Sequence, residues 1–287
     1  MNPFSSRCCQ HNHAQGWPYF TEHLVLATPD NGVATAIYAA CKATVKVGDG
    51  KEITLHEETN YPFEEAIAFT VSTGEKVAFP FYLRIPSWTQ KAEVRVNGKK
   101  VSAAPVAGKY LCINREWANG DRVELTLPMS LSMRTWQVNK NSVSVDYGPL
   151  TLSLKIAEKY VEKDSRETAI GDSKWQKGAD SKKWPTTEIY PDSPWNYSLV
   201  LDKKEPLKNF KVIRKSWPAD NYPFTVTSVP LEVKAIGRPV PEWKIDETGL
   251  CGVLPEEDAV KGDKEEITLI PMGAARLRIS AFPNTKE

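Results

Sequence analysis

Beyond Gly32 the apolar residues of this chain recur at every second position, and that period decides its fold class. Val77, Phe79, Phe81, Leu83 and Ile85 alternate with Ala78, Pro80, Tyr82 and Arg84. Successive side chains leave a pleated backbone on opposite sides, so this run reads as a strand with one buried face. Pro80 lacks the N–H that a ladder uses, which places the strand at an edge or gives it a bulge. Ala92–Val96, Asn97-Gly98 and Lys99–Val101 read as a hairpin with a type I′ turn. Both central residues of that turn need positive φ, which Asn and Gly adopt at little cost. Val123, Leu125 and Leu127 repeat the alternation after Asn119-Gly120, as do Leu150, Leu152, Leu154 and Ile156. Short strands at this spacing, punctuated by 21 prolines and 16 glycines, predict antiparallel β-sandwiches.

The first 28 residues differ. Pro18 suits a first helical turn, and Tyr19, Phe20, His23, Leu24 and Ala27 follow at helical spacing. Thr28-Pro29-Asp30-Asn31-Gly32 ends that helix. Residues 158–194 are rich in Lys, Asp, Ser and Pro, and read as a long irregular connection. Strand patterns resume at Tyr197–Leu201, Phe210–Lys215, Phe224–Thr227 and Leu231–Ile236, and close at Ile267–Ile270 and Arg276–Phe282. The boundaries that follow are 1–32 for the helical segment, 33–157 for a first β-sandwich, and 158–287 for a second with its irregular leading loop.

Composition excludes some functions. Lysine plus arginine (37) nearly cancels aspartate plus glutamate (36), so the chain has no basic footprint for nucleic acid. Its longest apolar stretch, Val33 to Cys41, is far short of the ~20 residues of a membrane-spanning helix. Met1–Arg7 has no apolar core of an export signal, and were a longer parent exported, its signal would lie upstream of this chain. The cellular compartment and the oligomeric state stay open. Five cysteines, odd in number and unevenly spaced, do not form a disulfide framework. Cys41, Cys112 and Cys251 sit among apolar residues and are expected to be buried, inert thiols.

Cys8 and Cys9 stand apart, in Arg7-Cys8-Cys9-Gln10-His11-Asn12-His13. Neighbouring cysteines rarely bridge each other, because the planar peptide between them strains the ring. Thiolates beside imidazoles suit zinc, but four ligands within six residues cannot easily surround one ion, so other residues would complete the site. Two thiols with two unrelated histidines is the plain alternative. The acidic pairs Glu57-Glu58, Glu64-Glu65, Glu256-Glu257 and Glu265-Glu266 would point to opposite faces of a strand and are expected to be solvated. Glu64 and Glu65, after Tyr61-Pro62-Phe63, are the best placed to reach a neighbouring site. Of the nine tryptophans, Trp88, Trp117 and Trp136 are expected to pack, as tryptophans in β-sandwiches more often do; Trp175, Trp184 and Trp195, in turn-rich sequence, are the better candidates for exposed sugar-stacking platforms.

Cys8-Cys9-x-x-Asn12, Trp17-Pro18-Tyr19-Phe20, Tyr82-Leu83-Arg84-Ile85-Pro86-Ser87-Trp88, Val94-Arg95-Val96-Asn97-Gly98 and Tyr147-Gly148-Pro149-Leu150 together resemble glycoside hydrolase family 127 (GH127), the β-L-arabinofuranosidase-like enzymes. The resemblance implies a mainly β chain of two antiparallel, jelly-roll-like β-sandwiches behind a short remnant of an α/α barrel. It implies a zinc cofactor and a plant-derived oligosaccharide as substrate, with Cys8 as nucleophile and zinc ligand and Cys9 as zinc ligand. In such a retaining reaction a thiolate attacks the anomeric carbon and water then releases the sugar. The family's Glu-x-Cys ligand pair and acid/base glutamate precede the vicinal cysteines, and no Glu-x-Cys occurs in this sequence. The chain therefore reads as the C-terminal portion of such an enzyme, inactive alone. The other reading is a non-catalytic carbohydrate-binding or scaffold module.

Overall fold

The computed structural model describes residues 14–165, 178, 180–256 and 259–286. The chain is mainly β. Its contacts divide it into two compact units, one ending at Ser130 and the other beginning at Leu131.

In the first unit a short helix, α1 (Gly16–Glu22), leads into ten strands. These are β1 (Val25–Ala27), β2 (Val33–Thr35), β3 (Cys41–Val47), β4 (Lys51–Thr59), β5 (Ala66–Thr73), β6 (Val77–Arg84), β7 (Glu93–Val96), β8 (Lys99–Lys100), β9 (Tyr110–Trp117) and β10 (Arg122–Thr126). The helix is shorter than its spacing predicts. Val25–Ala27 turn extended instead and pair antiparallel with β2, Leu26 opposite Ala34. The turn that follows explains this. The Thr28 N–H donates to the Gly32 carbonyl, and the Gly32 N–H donates back to the Thr28 hydroxyl at 3.0 Å. Folding back in this way gives Val25–Ala27 a strand partner that a continued helix would lack.

The strands form two sheets, ordered β1-β2-β6-β9 and β3-β4-β5-β10-β7-β8. Val77, Phe79, Phe81 and Leu83 of β6 are buried, and the residues between them are not. They share one core with Ile53 and Leu55 of β4, Ile67 and Phe69 of β5, and Val123 and Leu125 of β10. Phe69 meets Phe81 edge to face at 5.4 Å. The Asn97-Gly98 turn joins β7 to β8 as its sequence predicts, with φ of 51° and 75°. Pro80, however, lies in an inner strand. It is tolerated because β2 begins opposite Phe81, one rung further on.

Gly32 is fixed by that same approach. A Cβ there would lie 2.3 Å from the Pro80 carbonyl oxygen. Gly32→Ala is therefore expected to cost about 1–3 kcal/mol, like other overpacking changes. Gly74, whose Cβ would meet nothing within 4 Å, serves as control: Gly74→Ala should stay within about 0.5 kcal/mol. Urea midpoints of the two variants check this pair.

The second unit contains β11 (Leu131–Trp136), β12 (Ser142–Tyr147), β13 (Leu150–Leu154), β14 (Glu158–Lys163), β15 (Thr186–Pro191), β16 (Tyr197–Leu201), β17 (Lys211–Arg214), β18 (Leu231–Pro239), β19 (Glu265–Pro271) and β20 (Asn284–Lys286). An eight-stranded sheet runs β11-β12-β13-β19-β18-β16-β20, with β17 also paired to β18. Because Leu152 and Leu154 of β13 pair with Pro271 and Leu269 of β19, β11–β13 belong to this later unit. The division thus falls before Leu131, not at 157/158. Within 158–194, expected to be irregular, β14 and β15 form an antiparallel ribbon from Glu158↔Pro191 to Lys163↔Thr186.

Two expected strands are absent. Phe224–Thr227 is a turn, in which the Ser228 N–H donates to the Thr225 hydroxyl. Arg276–Phe282 instead crosses between strands. Val143 and Phe282 exchange both backbone hydrogen bonds at 2.9 Å, and the Leu199 N–H donates to the Pro283 carbonyl. Residues 279–286 thereby tie β12 and β13 to β16. All six residues of β12 are buried in consequence. Ser144 is satisfied by the Ser280 carbonyl, and Ser153 of β13 by Ile279.

Candidate functional site

Cys8, Cys9, His11 and His13 lie outside the described residues. Among the described residues, no three His, Cys, Asp or Glu side chains come together in a way that could hold a metal ion. No helix among them is long and apolar enough to cross a membrane. The described chain begins just upstream of α1, which buries none of its residues. Trp17 and Tyr19 are each 65% exposed and Phe20 39%. Leu24 is buried, and its carbonyl accepts from the Ala36 N–H. The helix is closed from within: the Thr21 hydroxyl bonds the Trp17 carbonyl, and the His23 ring bonds the Tyr19 carbonyl at 2.6 Å.

Following Leu24 leads to a cluster at the end of the first unit where β4 and β6 stop. Ala36–Ala40 link β2 to β3. The Arg84 Nε donates to the Ala36 carbonyl, and the buried Tyr38 hydroxyl donates to the Arg84 carbonyl. The Arg84 guanidinium lies 6.0 Å from the Tyr38 ring centre. Tyr61 packs edge-on against Tyr38 at 5.9 Å. Glu57 of β4 points into this cluster and is 2% exposed. Its carboxylate accepts from the Ala39 N–H and, at 3.8 Å, from the Cys41 thiol across the strand pair. Its other oxygen, Oε1, has no partner. Burial pushes the Glu57 carboxyl up to about 8, and burial together with the Glu57 charge pushes the Cys41 thiol up to about 11. The expectation that the acidic pairs are solvated therefore fails at Glu57. Glu58 does turn outward, as adjacent strand residues must.

Two cavities open on the outer faces of the first unit. One, of 540 Å³, lies on the six-stranded sheet. Its floor includes Ala66 and Ala68, and Glu58, Glu64, Glu124 and Arg122 line it. Arg122 reaches Glu58 at 3.3 Å and Glu124 at 3.5 Å. Glu64 thus lines a cavity, whereas Glu65 accepts the Met129 N–H and stays structural. The other cavity, also 540 Å³, lies between Asp30, Tyr82 and Tyr110. Hydrogen bonds from the Thr28 and Tyr82 hydroxyls hold the Asp30 carboxyl below its ordinary range. Carboxylates, a guanidinium and tyrosines on open faces can hydrogen-bond and stack on a polyhydroxylated ligand.

The tryptophans divide unevenly. Trp117 is fully buried and Trp88 half-buried, as expected, but Trp136 is 41% exposed. Its indole N–H bonds Ser144 while Arg134 lies 5.1 Å from the ring. Trp184 is exposed. Trp195 is not a platform, because it packs edge-on against Trp243 at 5.2 Å. Trp175 lies outside the described residues. Cys112 and Cys251 are exposed and Cys41 half-buried, against the expectation of buried thiols. The frame of β9 explains Cys112: Leu111 takes the inward position, and Cys112 turns out beside Tyr82.

Residues 32–129 match the family model of the β-L-arabinofuranosidase GH127 middle domain. Three similar solved structures are a glycoside hydrolase, a GH127 β-L-arabinofuranosidase from Geobacillus stearothermophilus T6, and a GH127 β-arabinofuranosidase. Identities are 21%, 22% and 23%, and TM-scores 0.65, 0.63 and 0.64. They cover 98%, 97% and 97% of this chain, and 40%, 37% and 38% of the solved chains. The chain thus shares their fold over about two fifths of their length. No curated protein matches the sequence.

Proposed function

We propose that this chain, whose residues 32–129 match the GH127 middle-domain model, is the C-terminal portion of a retaining glycoside hydrolase acting on β-L-arabinofuranosides or related plant glycans. The family match over the two-sheet first unit carries this reading. Each unit is read as a β-sandwich, and α1 as the end of an α/α barrel. Cys8 is the nucleophile, and Cys8 and Cys9 are two of the zinc ligands. Zinc, when bound, would keep these thiols ionised at neutral pH. The chain's own part is to hold α1, which follows Cys8 in sequence, through Leu24 and Ala36 on the first unit.

With no Glu-x-Cys in the sequence, the chain alone is expected to show no turnover of an aryl β-L-arabinofuranoside in excess zinc. Turnover that vanishes in Cys8→Ser would overturn the claim of inactivity. A polypeptide joining this sequence to a Glu-x-Cys pair and an acid/base glutamate should hydrolyse that substrate. Its Cys8→Ser variant should lose at least about a thousandfold in kcat, as when a nucleophile is removed.

The open cavity beside Glu64 favours a second reading, a non-catalytic carbohydrate-binding module. Calorimetric binding of arabinan oligosaccharides, reduced by Glu64→Ala and without turnover in the longer polypeptide, would select it.

A further inference from the structure

Glu57 is a buried acid that forms no ion pair among the described residues. None of the titratable or charged groups in this cluster forms an ion pair with it. From β3 it meets the Cys41 thiol. From the 36–40 link it meets Tyr38, whose hydroxyl is spent on the Arg84 carbonyl. From the loop after β4 comes Tyr61, hydrogen-bonded to Trp88. From the end of β6 comes Arg84, whose Nε is bonded to Ala36. Leaving Oε1 unpaired is affordable only for a neutral carboxyl, since an unpaired buried charge is far more costly. What Glu57 holds is the edge of its sheet. β3 is the outer strand of its sheet, joined on one side only to β4. Its first rung is Cys41 opposite Glu57.

We propose that Glu57 is a pH-operated latch, which closes the 36–40 link and the start of β3 onto β4 while neutral and releases them when it ionises. Once charged, the carboxylate must reach water. The least costly route is to part Ala39 and Cys41 from β4, because the other side of β4 is held by β5 along Ile53–Thr59. Ala36 in the same link carries the hydrogen bond to Leu24 that seats the end of α1. Release therefore loosens the attachment of α1. Nothing in this latch depends on the proposed glycosidase activity.

The test reads Cys41 in the full chain by pulsed iodoacetamide labelling with peptide mapping, using exposed Cys112 as internal reference. The scan runs from about pH 6 to about pH 9.5, spanning the Glu57 transition. If the latch opens, the Cys41-to-Cys112 ratio climbs by up to about tenfold per pH unit on the approach to that transition and levels off above it, and Glu57→Gln removes that climb. A closed structure gives the opposite sign, since a charged Glu57 beside Cys41 suppresses its thiolate. A wild-type ratio that stays flat or falls overturns the proposal, as does an equal rise in Glu57→Gln. Hydrogen exchange of the 36–43 amides in the wild-type chain, corrected for intrinsic rates, must rise over the same pH range. Constant protection there overturns it independently of any variant.

Discussion

Shortening Trp117 to alanine is expected to destabilise the first unit by about 3–5 kcal/mol, the usual cost of removing a buried aromatic side chain. Trp117 is fully buried. It stacks on Phe79 at 5.7 Å, meets Phe81 edge to face at 5.9 Å, and carries the Arg115 guanidinium 5.1 Å from its ring centre. Its indole N–H donates to the Phe79 carbonyl at 3.0 Å. Alanine removes the ring that joins β6 to β9 and leaves a cavity. Trp117→Phe keeps most of the volume but loses the indole donor, so it should cost about 1–3 kcal/mol. Urea unfolding of both variants gives these values from the midpoint at unchanged slope. A loss below about 1 kcal/mol for the alanine variant would mean that this core collapses onto the gap.

Glu57→Gln is expected to stabilise the chain, and by an amount that grows with pH. The folded carboxyl titrates at about 8, against an ordinary value of 4.5. The folded state therefore holds its proton more tightly than the unfolded chain. Wild-type stability falls as pH rises from about 4.5 to about 8, and is level on either side. Glutamine, always neutral, removes that slope. The gain above the transition is on the order of a few kcal/mol, limited by how far the start of β3 opens to let the charge out. Thermal melts of both forms across this range should converge in acid and separate in alkali. Parallel curves at every pH would show that Glu57 is charged and satisfied when folded.

Where the fold depends on neighbours in sequence, it was legible. Asn97-Gly98 specified its hairpin, and the alternation in β6 identified its buried face. Long-range pairing was not legible. β13 looks like the end of the first run of strands, yet its partner is β19, more than a hundred residues on, which moved the unit boundary to Leu131. Single positions misled for a similar reason. Glu57 resembles any acidic surface pair until the frame of β4 turns it inward, and Leu111 rather than Cys112 faces the core of β9. Trp136 lies on an outer strand whose outward face no local pattern distinguishes. The cysteine pair was singled out by its chemistry, but its roles came only from a family resemblance, and it lies outside the described residues.

The tie made by residues 279–286 has a consequence for how the protein is made. The first unit closes on itself within residues up to Ser130, so it can fold as soon as that stretch has left the ribosome. The second cannot. Val143 waits for Phe282, and β16 for β20, across most of that unit's length. Until the last strand emerges, β12 and β16 each lack a backbone partner. Closing so long a loop is also intrinsically slow. During synthesis the nascent second unit is thus the stretch most exposed to misassociation and most in need of a chaperone.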